Sequence, residues 1–567
     1  MLKLYFFLGI AFLNSVTNGF DASLMGGINN MQHYHSYFKL SKTGSETGLI
    51  FSVFVIGNIC GSFFCGPLSD LWGRRWGMFH GAVILIAGAC IQGFAHSGPN
   101  GNDRSMFMVG RFLTGFGIAT CQTAGPSYVV EMSHPAWRGV LTGLYNCQYF
   151  VGGITATWTM WRTSMIPSDI SWRLPSWLQC VPAGLIMVGV IFIPETPRWL
   201  FCNDQQEEAI RVLTKYHGGG NRRSPIVILT LREMIDRILI EGSDKRWWDY
   251  SECFNTRAAL HRLMVVGGIG FFGQWAGNGA VTYFMPILLE HAGILDATTQ
   301  LQYNGILQVL QFITAVCGAF AVDKIGRRPA LLIGTSMFII WWVIITSLMN
   351  FLPLEHVEDA TLGSRIETKA IHGSKAAISM IFLFAMTFSF TYTPLQTLYP
   401  VECLSYETRA KGMGIYNLIV NIASLYNTYG IPVVVDKIGW KMYWIYVVWN
   451  IFQVGYIWKF FVETKGRTLE EINEIFEAAN PVKKSLQKHI VEETDLGLLY
   501  HGLINELNDM EGVISPVYAD LHLIPPGGPP GDIPDKIDLH KAPSSFTCPP
   551  EPTFAFPTSN SFRSRPQ

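Results

Sequence analysis

Long apolar runs alternate with short charged connections from the first residues to residue 462. A membrane-spanning helix needs about 20 mainly apolar residues. Twelve stretches fit, centred near residues 16, 58, 84, 115, 149, 184, 275, 311, 339, 387, 422 and 450. Six fall before residue 200 and six after residue 262, with a polar stretch between. The pattern predicts an all-α membrane protein with twelve transmembrane helices in two six-helix halves. Glycine and proline punctuate several runs, at Gly115, Gly117, Pro182, Gly277 and Pro394. Membrane helices tolerate both where neighbours satisfy the backbone, and glycine lets helices approach closely.

The first run opens Met1-Leu2-Lys3 and continues LYFFLGIAFL, the layout of a cleavable leader. It then extends through Val16 to Met25 with polar residues set inside it. That continuation favours a first spanning helix, with almost no chain on the cytosolic side before it.

The connections carry an internal echo. GPLSDLWGRR at 66–75 places Asp70, Arg74 and Arg75 in one short turn, and VDKIGRR at 322–328 repeats it with Arg327 and Arg328. Glu131 precedes Arg138 by seven residues, and Glu402 precedes Arg409 by seven. PETPR at 194–198 is answered by VETKGR at 462–467, which pairs Glu195 with Glu463. A large unit has been duplicated in the same order, and parallel repeats of six spans are one architecture of membrane transporters. The expected organisation is an N-terminal half at 1–200, a cytosolic helical linker at 201–262, a C-terminal half at 263–462 and a cytosolic tail at 463–567.

Lysine and arginine fall mostly in alternate short loops, which with the polar linker marks one side as cytosolic. Both termini then lie inside, although the outer loop at 354–375 also holds Arg365 and Lys369. The linker pieces QQEEAIRVLTKYH and LREMIDRILIEG read as amphipathic helices. Residues 469–478 read as a helix, and 498–510 as another. From residue 516 the tail is rich in Pro, Gly and Ser, a composition that buries no core and predicts disorder.

Composition agrees with a membrane protein. The chain has 567 residues, 49% apolar and only 15% charged, against about 25% charged in soluble proteins. A net charge of −1 argues against nucleic acid as a partner. The 11 cysteines are scattered, mostly inside apolar runs, with no metal-ligand spacing. No nucleophile constellation or phosphate loop stands out, so neither an enzyme nor a cofactor is expected.

The motifs together resemble the sugar porter family of the major facilitator superfamily. The resemblance covers residues 5–480. Its carriers are GFDASLMGG at 19–27, GPLSDLWGRR at 66–75, GRFLTGFG at 110–117 and PSYVVEMSHPAWRG at 126–139. They continue with PETPRWL at 194–200, DKIGRR at 323–328, YPVECLSYETRAKG at 399–412 and VETKGRT at 462–468. FFGQ, PLQTLYPVE and the GFDASLMGG opening look most like fungal members near the lactose-permease-like group.

The resemblance implies roles. Asp70, Arg74, Arg75, Glu131, Arg138 and Glu195, with Arg327, Arg328, Glu402, Arg409 and Glu463, would form a cytosolic gate whose charges pair across the halves. Solvated topology signals are the plainer alternative. An uncharged sugar suits neutral amides, which both donate and accept. Gln148, Gln274, Gln311, Asn417 and Asn421 are the candidate substrate contacts within the spans, with helix-to-helix bonding as the alternative. Trp275, Tyr283 and Phe284 lie near enough in sequence to stack on a ring or to pack.

The chain also departs from the family. Its paired glutamines in the seventh span become Gly273-Gln274, and the asparagine further on becomes Gly279, with Asn278 one place early. Ser389 and Thr397 stand where a glutamate and a tryptophan are usual in the tenth span. Smaller residues leave room for a disaccharide or another polyol.

Asp21 lies in the first span between Phe20 and Ala22. A charge at a helix centre costs on the order of 2.5–3.5 kcal/mol and needs a partner. Arg111 in the fourth span is the candidate, and family proton symporters pair these positions, with a purely structural ion pair as the alternative. The expected function is sugar transport across the plasma membrane by alternating access, with proton symport. The partners are a small sugar, protons and the lipid bilayer, and the carrier is expected to be a monomer. A facilitative uniporter, or a sugar sensor signalling through the tail, are the alternatives.

Overall fold

The computed structural model describes residues 2–487, apart from 42–43, 97–102, 135–137, 204, most of 223–250, 292–293, 295, 352–362, 406–408 and 468. The expected second linker helix, the 498–510 helix and the tail beyond 516 lie wholly or largely outside the described residues. Every described regular element is helical.

The first half contains α1 (Leu2–Ile28), the short α2 (Gln32–Phe38), α3 (Ser45–Trp72), α4 (Arg74–Gly93), α5 (Asp103–Met132) and α6 (Arg138–Thr163). It ends with α7 (Ile170–Leu178) running on into α8 (Cys180–Val190), which together make the sixth span. The linker supplies α9 (Pro197–Cys202) and α10 (Gln206–Tyr216). The second half contains α11 (Arg257–Trp275) and α12 (Asn278–His291), then α13 (Ala297–Ile325), α14 (Arg327–Phe351), α15 (Gly363–Cys403), α16 (Arg409–Ile438) and α17 (Tyr443–Phe460). After it comes an amphipathic helix, α18 (Leu469–Glu477), which buries Ile472, Ile475 and Phe476, and then a short helix at Pro481–Ser485.

The twelve expected spans thus appear in order. Among the described residues, six segments are long and apolar enough to cross a membrane by length and composition alone: Ser45–Gly66, Arg74–Gly93, Ala297–Val322, Arg327–Met349, Lys375–Cys403 and Lys411–Phe460. The last covers both α16 and α17. Of the remaining spans, α1 carries Asn14, Thr17, Asn18 and Asp21, and the sixth and seventh are broken. The outer connection expected at 354–375 is shorter than that, because α15 is already helical from Gly363.

α10 behaves as its pattern predicts, burying Ala209, Ile210, Val212 and Leu213. The halves meet through α3 against α16 and α6 against α13. Several of their contacts sit at the end away from the Arg-Arg turns. There Gly44 N donates to Pro432 O at 3.3 Å and Asn30 Nδ2 to Ala297 O at 3.1 Å. Phe51 lies 5.1 Å from Phe284, ring to ring, at the same end.

The seventh span breaks at Gly277. Gly277 has φ +111°, and a Cβ there would run into the Trp342 ring. The break frees the Ala276 carbonyl, which two buried side chains satisfy: Trp342 Nε1 at 3.1 Å and Asn450 Nδ2 at 3.2 Å. Discontinuous helices of this kind line substrate sites in transporters.

Candidate functional site

At the basic end, each half builds the same structure from the same residues. The turn Trp72-Gly73-Arg74 stops α3 and starts α4. Glu195 Oε1 accepts the backbone N–H of Arg74 at 3.1 Å and of Arg75 at 3.2 Å. In the second half, Glu463 accepts from Arg327 N at 3.0 Å and Arg328 N at 3.1 Å. A carboxylate at a helix N-terminus satisfies orphan donors and opposes the helix dipole.

The second arginine of each turn does the converse work at a C-terminus. Arg75 donates to Val190 O at 2.8 Å and Ile191 O at 2.9 Å, while Arg328 donates to Trp458 O at 2.7 Å. Tyrosines complete the match, Tyr128 bonding Pro194 O at 3.1 Å and Tyr399 bonding Val462 O at 2.7 Å. Burial pushes the Glu195 carboxyl above its ordinary value of 4.5, against the lowering pull of the Thr196 and Arg75 N–H groups and the Arg74 charge.

The ion pairs follow the same symmetry. Arg74 meets Glu131 at 3.3 Å. Arg327 grips Glu402 with two bonds, of 2.8 and 3.1 Å. These pairs join residues of one half, where the sequence led us to expect pairing across the halves. The cause is helix packing. Arg74 opens α4, which lies along α5, and Glu131 ends α5, so the nearest acid belongs to the same half. The side chains of Asp70, Arg138 and Arg409 lie outside the described residues. Their backbones fall in the last turn of α3 and at the starts of α6 and α16.

The candidate substrate residues lie along spans that meet between the halves. Gln148 on α6 is half-buried and has no hydrogen-bond partner among the described residues. Gln274 at the end of α11 and Asn421 on α16 are half-buried, while Gln311 on α13 is 3% exposed. Asn417, one turn from Asn421, is exposed.

Two further amides join this region. Asn146 on α6 reaches across to the Thr393 carbonyl of α15 at 2.7 Å. Gln308 lies one turn from Gln311, and a Cβ on Gly153 of α6 would stand 2.7 Å from its Oε1. Two of the three aromatics are engaged in packing. Trp275 donates to Ala423 O at 3.1 Å and stacks on Phe271, and Phe284 is fully buried. The Tyr283 side chain lies outside the described residues.

Asp21 and Arg111 meet as expected. Arg111 Nη1 donates to Asp21 Oδ1 at 2.8 Å, with side chains 3% and 1% exposed. The guanidinium also lies 4.6 Å from the centre of the Phe54 ring. Asp21 Oδ2 and Arg111 Nε are buried without a hydrogen-bond partner. The contact is therefore a single bond, where aspartate and arginine can make two.

Comparison with known proteins gives the class. The family model described as "Sugar (and other) transporter" matches residues 7–476, and the chain belongs to that family, the sugar porters of the major facilitator superfamily. It is 27% identical over 490 residues to high-affinity glucose transporter 1 of Candida albicans, covering 85% of this chain and 87% of that relative. It is 25% identical over 519 residues to a probable quinate permease of Aspergillus niger, covering 86% and 90%. The fold matches the inward-open xylose transporter XylE from E. coli with a TM-score of 0.65 at 20% identity, over 84% of this chain and all of that one. The structure of the proton:xylose symporter XylE bound to 6-bromo-6-deoxy-D-glucose gives 0.66 at 20% identity, over 84% and 99%.

Proposed function

We propose that the protein carries an uncharged sugar or polyol together with a proton, by alternating access. The observation that carries the coupled reading is the buried Asp21–Arg111 contact, with one carboxylate oxygen left unpartnered. An unpartnered carboxylate oxygen at membrane depth is costly, and it is a place where a proton can bind. Protonation of Asp21 weakens its hold on Arg111, so the proton and the packing of α1 on α5 become linked. The structural neighbour XylE is a proton:xylose symporter, and the relative in Candida albicans is a high-affinity glucose transporter, which supports the same reading.

Substrate binding is assigned to Gln148, Gln274, Gln311, Asn417 and Asn421, whose amides suit hydroxyl groups. The far-end contacts close the outer face on this reading, and the basic end faces the cytosol with both termini. The gate residues then act within each half, by holding the turns at Gly73 and Gly326. The protein works as a monomer at the plasma membrane.

The test is uptake of a panel of labelled sugars and polyols in transport-null yeast, with and without a protonophore. Concentrative uptake that collapses with the proton gradient supports symport. Equilibrating uptake indifferent to the gradient would make the protein a uniporter. No uptake of any panel member, with the protein at the surface, would favour a sensor.

A further inference from the structure

We infer that Gln396 is a substrate-facing amide, standing beside Gln274 in the space that a side chain at position 273 would fill. This rests on the transport reading and names a recognition residue for it.

Two glycines flank the break in the seventh span, and each is met by an amide from another helix. A Cβ on Gly273 would overlap Gln396 Nε2 of α15, with Cδ at 2.9 Å and Cγ at 3.3 Å. A Cβ on Gly279 would overlap Asn427 Nδ2 of α16, with Cγ at 2.8 Å. The span carries no side chain at either position, and α15 and α16 each place a primary amide there.

The two amides differ in what remains free. Asn427 is 4% exposed, and its Nδ2 donates to the Gln274 carbonyl at 2.5 Å. It is a positioning residue, holding the backbone just before the break. The Gln396 side chain is half-buried and has no hydrogen-bond partner among the described residues. Its backbone is fixed, because Tyr416 Oη donates to the Gln396 carbonyl at 2.6 Å. The Tyr416 ring in turn lies against Gly270, where a Cβ would be 3.0 Å from Cε2. A pinned backbone with a spare amide is a preorganised recognition group.

Its direction follows from the helix. Residues three apart share a helix face. Thr393, three residues before Gln396, meets Asn146 of the opposite half through its carbonyl. This part of α15 therefore lies at the junction of the halves, beside the segment of α6 that carries Gln148. A bare amide facing lipid would be expensive, whereas one facing a cavity between the halves bonds water or ligand. Gln274 and Gln396 then offer two NH2 groups and two carbonyl oxygens, which suits a neutral ligand with vicinal hydroxyls.

The experiment compares wild type, Gln396→Ala, Gly273→Gln and the double variant Gly273→Gln/Gln396→Gly, by sugar uptake kinetics and surface amount. Gln396→Ala should raise KM about two- to tenfold, the effect of one lost hydrogen bond, with the purified protein's Tm unchanged. Gly273→Gln alone should be defective, because two side chains claim one space. The double variant, which moves the amide from α15 to α11, should recover uptake. Gln396→Cys gives a second measurement: N-ethylmaleimide should label it above the wild-type background, and sugar should protect it. An unchanged KM in Gln396→Ala together with no sugar protection overturns the inference alone. A lowered Tm with unchanged KM assigns Gln396 to packing. Absence of wild-type uptake overturns the transport reading and this inference with it.

Discussion

Glu195 and Glu463 occupy equivalent posts, each accepting the first backbone N–H groups of the helix that follows an Arg-Arg turn. Each also presses on the glycine of that turn. Gly73 has φ +93° and ψ 163°, and Gly326 has φ +101° and ψ 158°. Essentially only glycine adopts this region. A Cβ would overlap the Glu195 carboxylate at Gly73 and stand 2.8 Å from Glu463 Oε2 at Gly326. Conformation and contact thus demand glycine independently, in both halves.

Gly73→Ala and Gly326→Ala should each lower the Tm of the purified protein and its transport. Backbone strain alone costs about 1–3 kcal/mol, and displacing the capping carboxylate adds to it. Thermal unfolding in detergent, alongside uptake per surface molecule, measures both. An unaltered Tm in either variant would show that the turn relaxes at no cost.

The raised Glu195 carboxyl gives a pH signature. Its folded value lies above the ordinary 4.5, so the folded protein holds this proton more tightly than the unfolded chain. That contribution to stability is full below pH 4.5 and is lost as pH rises through the folded value. Glu195→Gln removes the titration. The Tm of Glu195→Gln relative to wild type should therefore climb as pH rises above 4.5. A difference that stays flat with pH would contradict the shift.

Much of this was legible in the sequence for physical reasons. Spans announce themselves by length and apolarity, and the duplicated turns keep their chemistry because both halves need the same glycine and carboxylate. The Asp21–Arg111 pairing was legible because a buried charge must find its opposite. Which half a gate charge pairs within was not, since Glu131 and Glu402 offer the same charge to either side and only helix packing decides. The break at Gly277 depends on Trp342 and Asn450, which are distant in sequence. Gln396 was missed because its meaning lies in the space beside Gly273. A glutamine at membrane depth within PLQTLYPVE was the available signal.

The two ion pairs at the basic end should not be equal. Arg327 holds Glu402 through two hydrogen bonds, of 2.8 and 3.1 Å, whereas the Arg74–Glu131 contact is 3.3 Å and the Arg74 Nη1 bond to Ser69 O is 3.4 Å. Lysine replaces a fork on one carboxylate poorly. Arg327→Lys should cost about 1 kcal/mol more than Arg74→Lys. Tm measurements on the two variants decide it, and an equal or reversed order would remove the distinction.

Gln148→Ala should raise the KM for sugar about two- to tenfold, with surface delivery intact. The amide is half-buried and lacks a partner among the described residues, so its removal leaves no protein group unsatisfied. Stability should change little. A variant that keeps its KM and loses Tm would place Gln148 in the packing of α6 instead.

Asp21→Asn is the decisive test of coupling. Asparagine keeps the shape of the side chain and its bond from Arg111 Nη1, and removes the titrating group. Concentrative uptake should then disappear, as should sugar-induced alkalinisation of the medium. Sugar exchange across vesicles needs no net proton movement and should survive at least in part. The Arg111 charge, now uncompensated in a site where its own side chain is 3% exposed, should lower stability. Exchange and Tm must therefore be measured on the same preparation. Surviving exchange with lost accumulation identifies Asp21 as the proton carrier. If accumulation persists in Asp21→Asn, the proton binds elsewhere and the pair only holds α1 against α5.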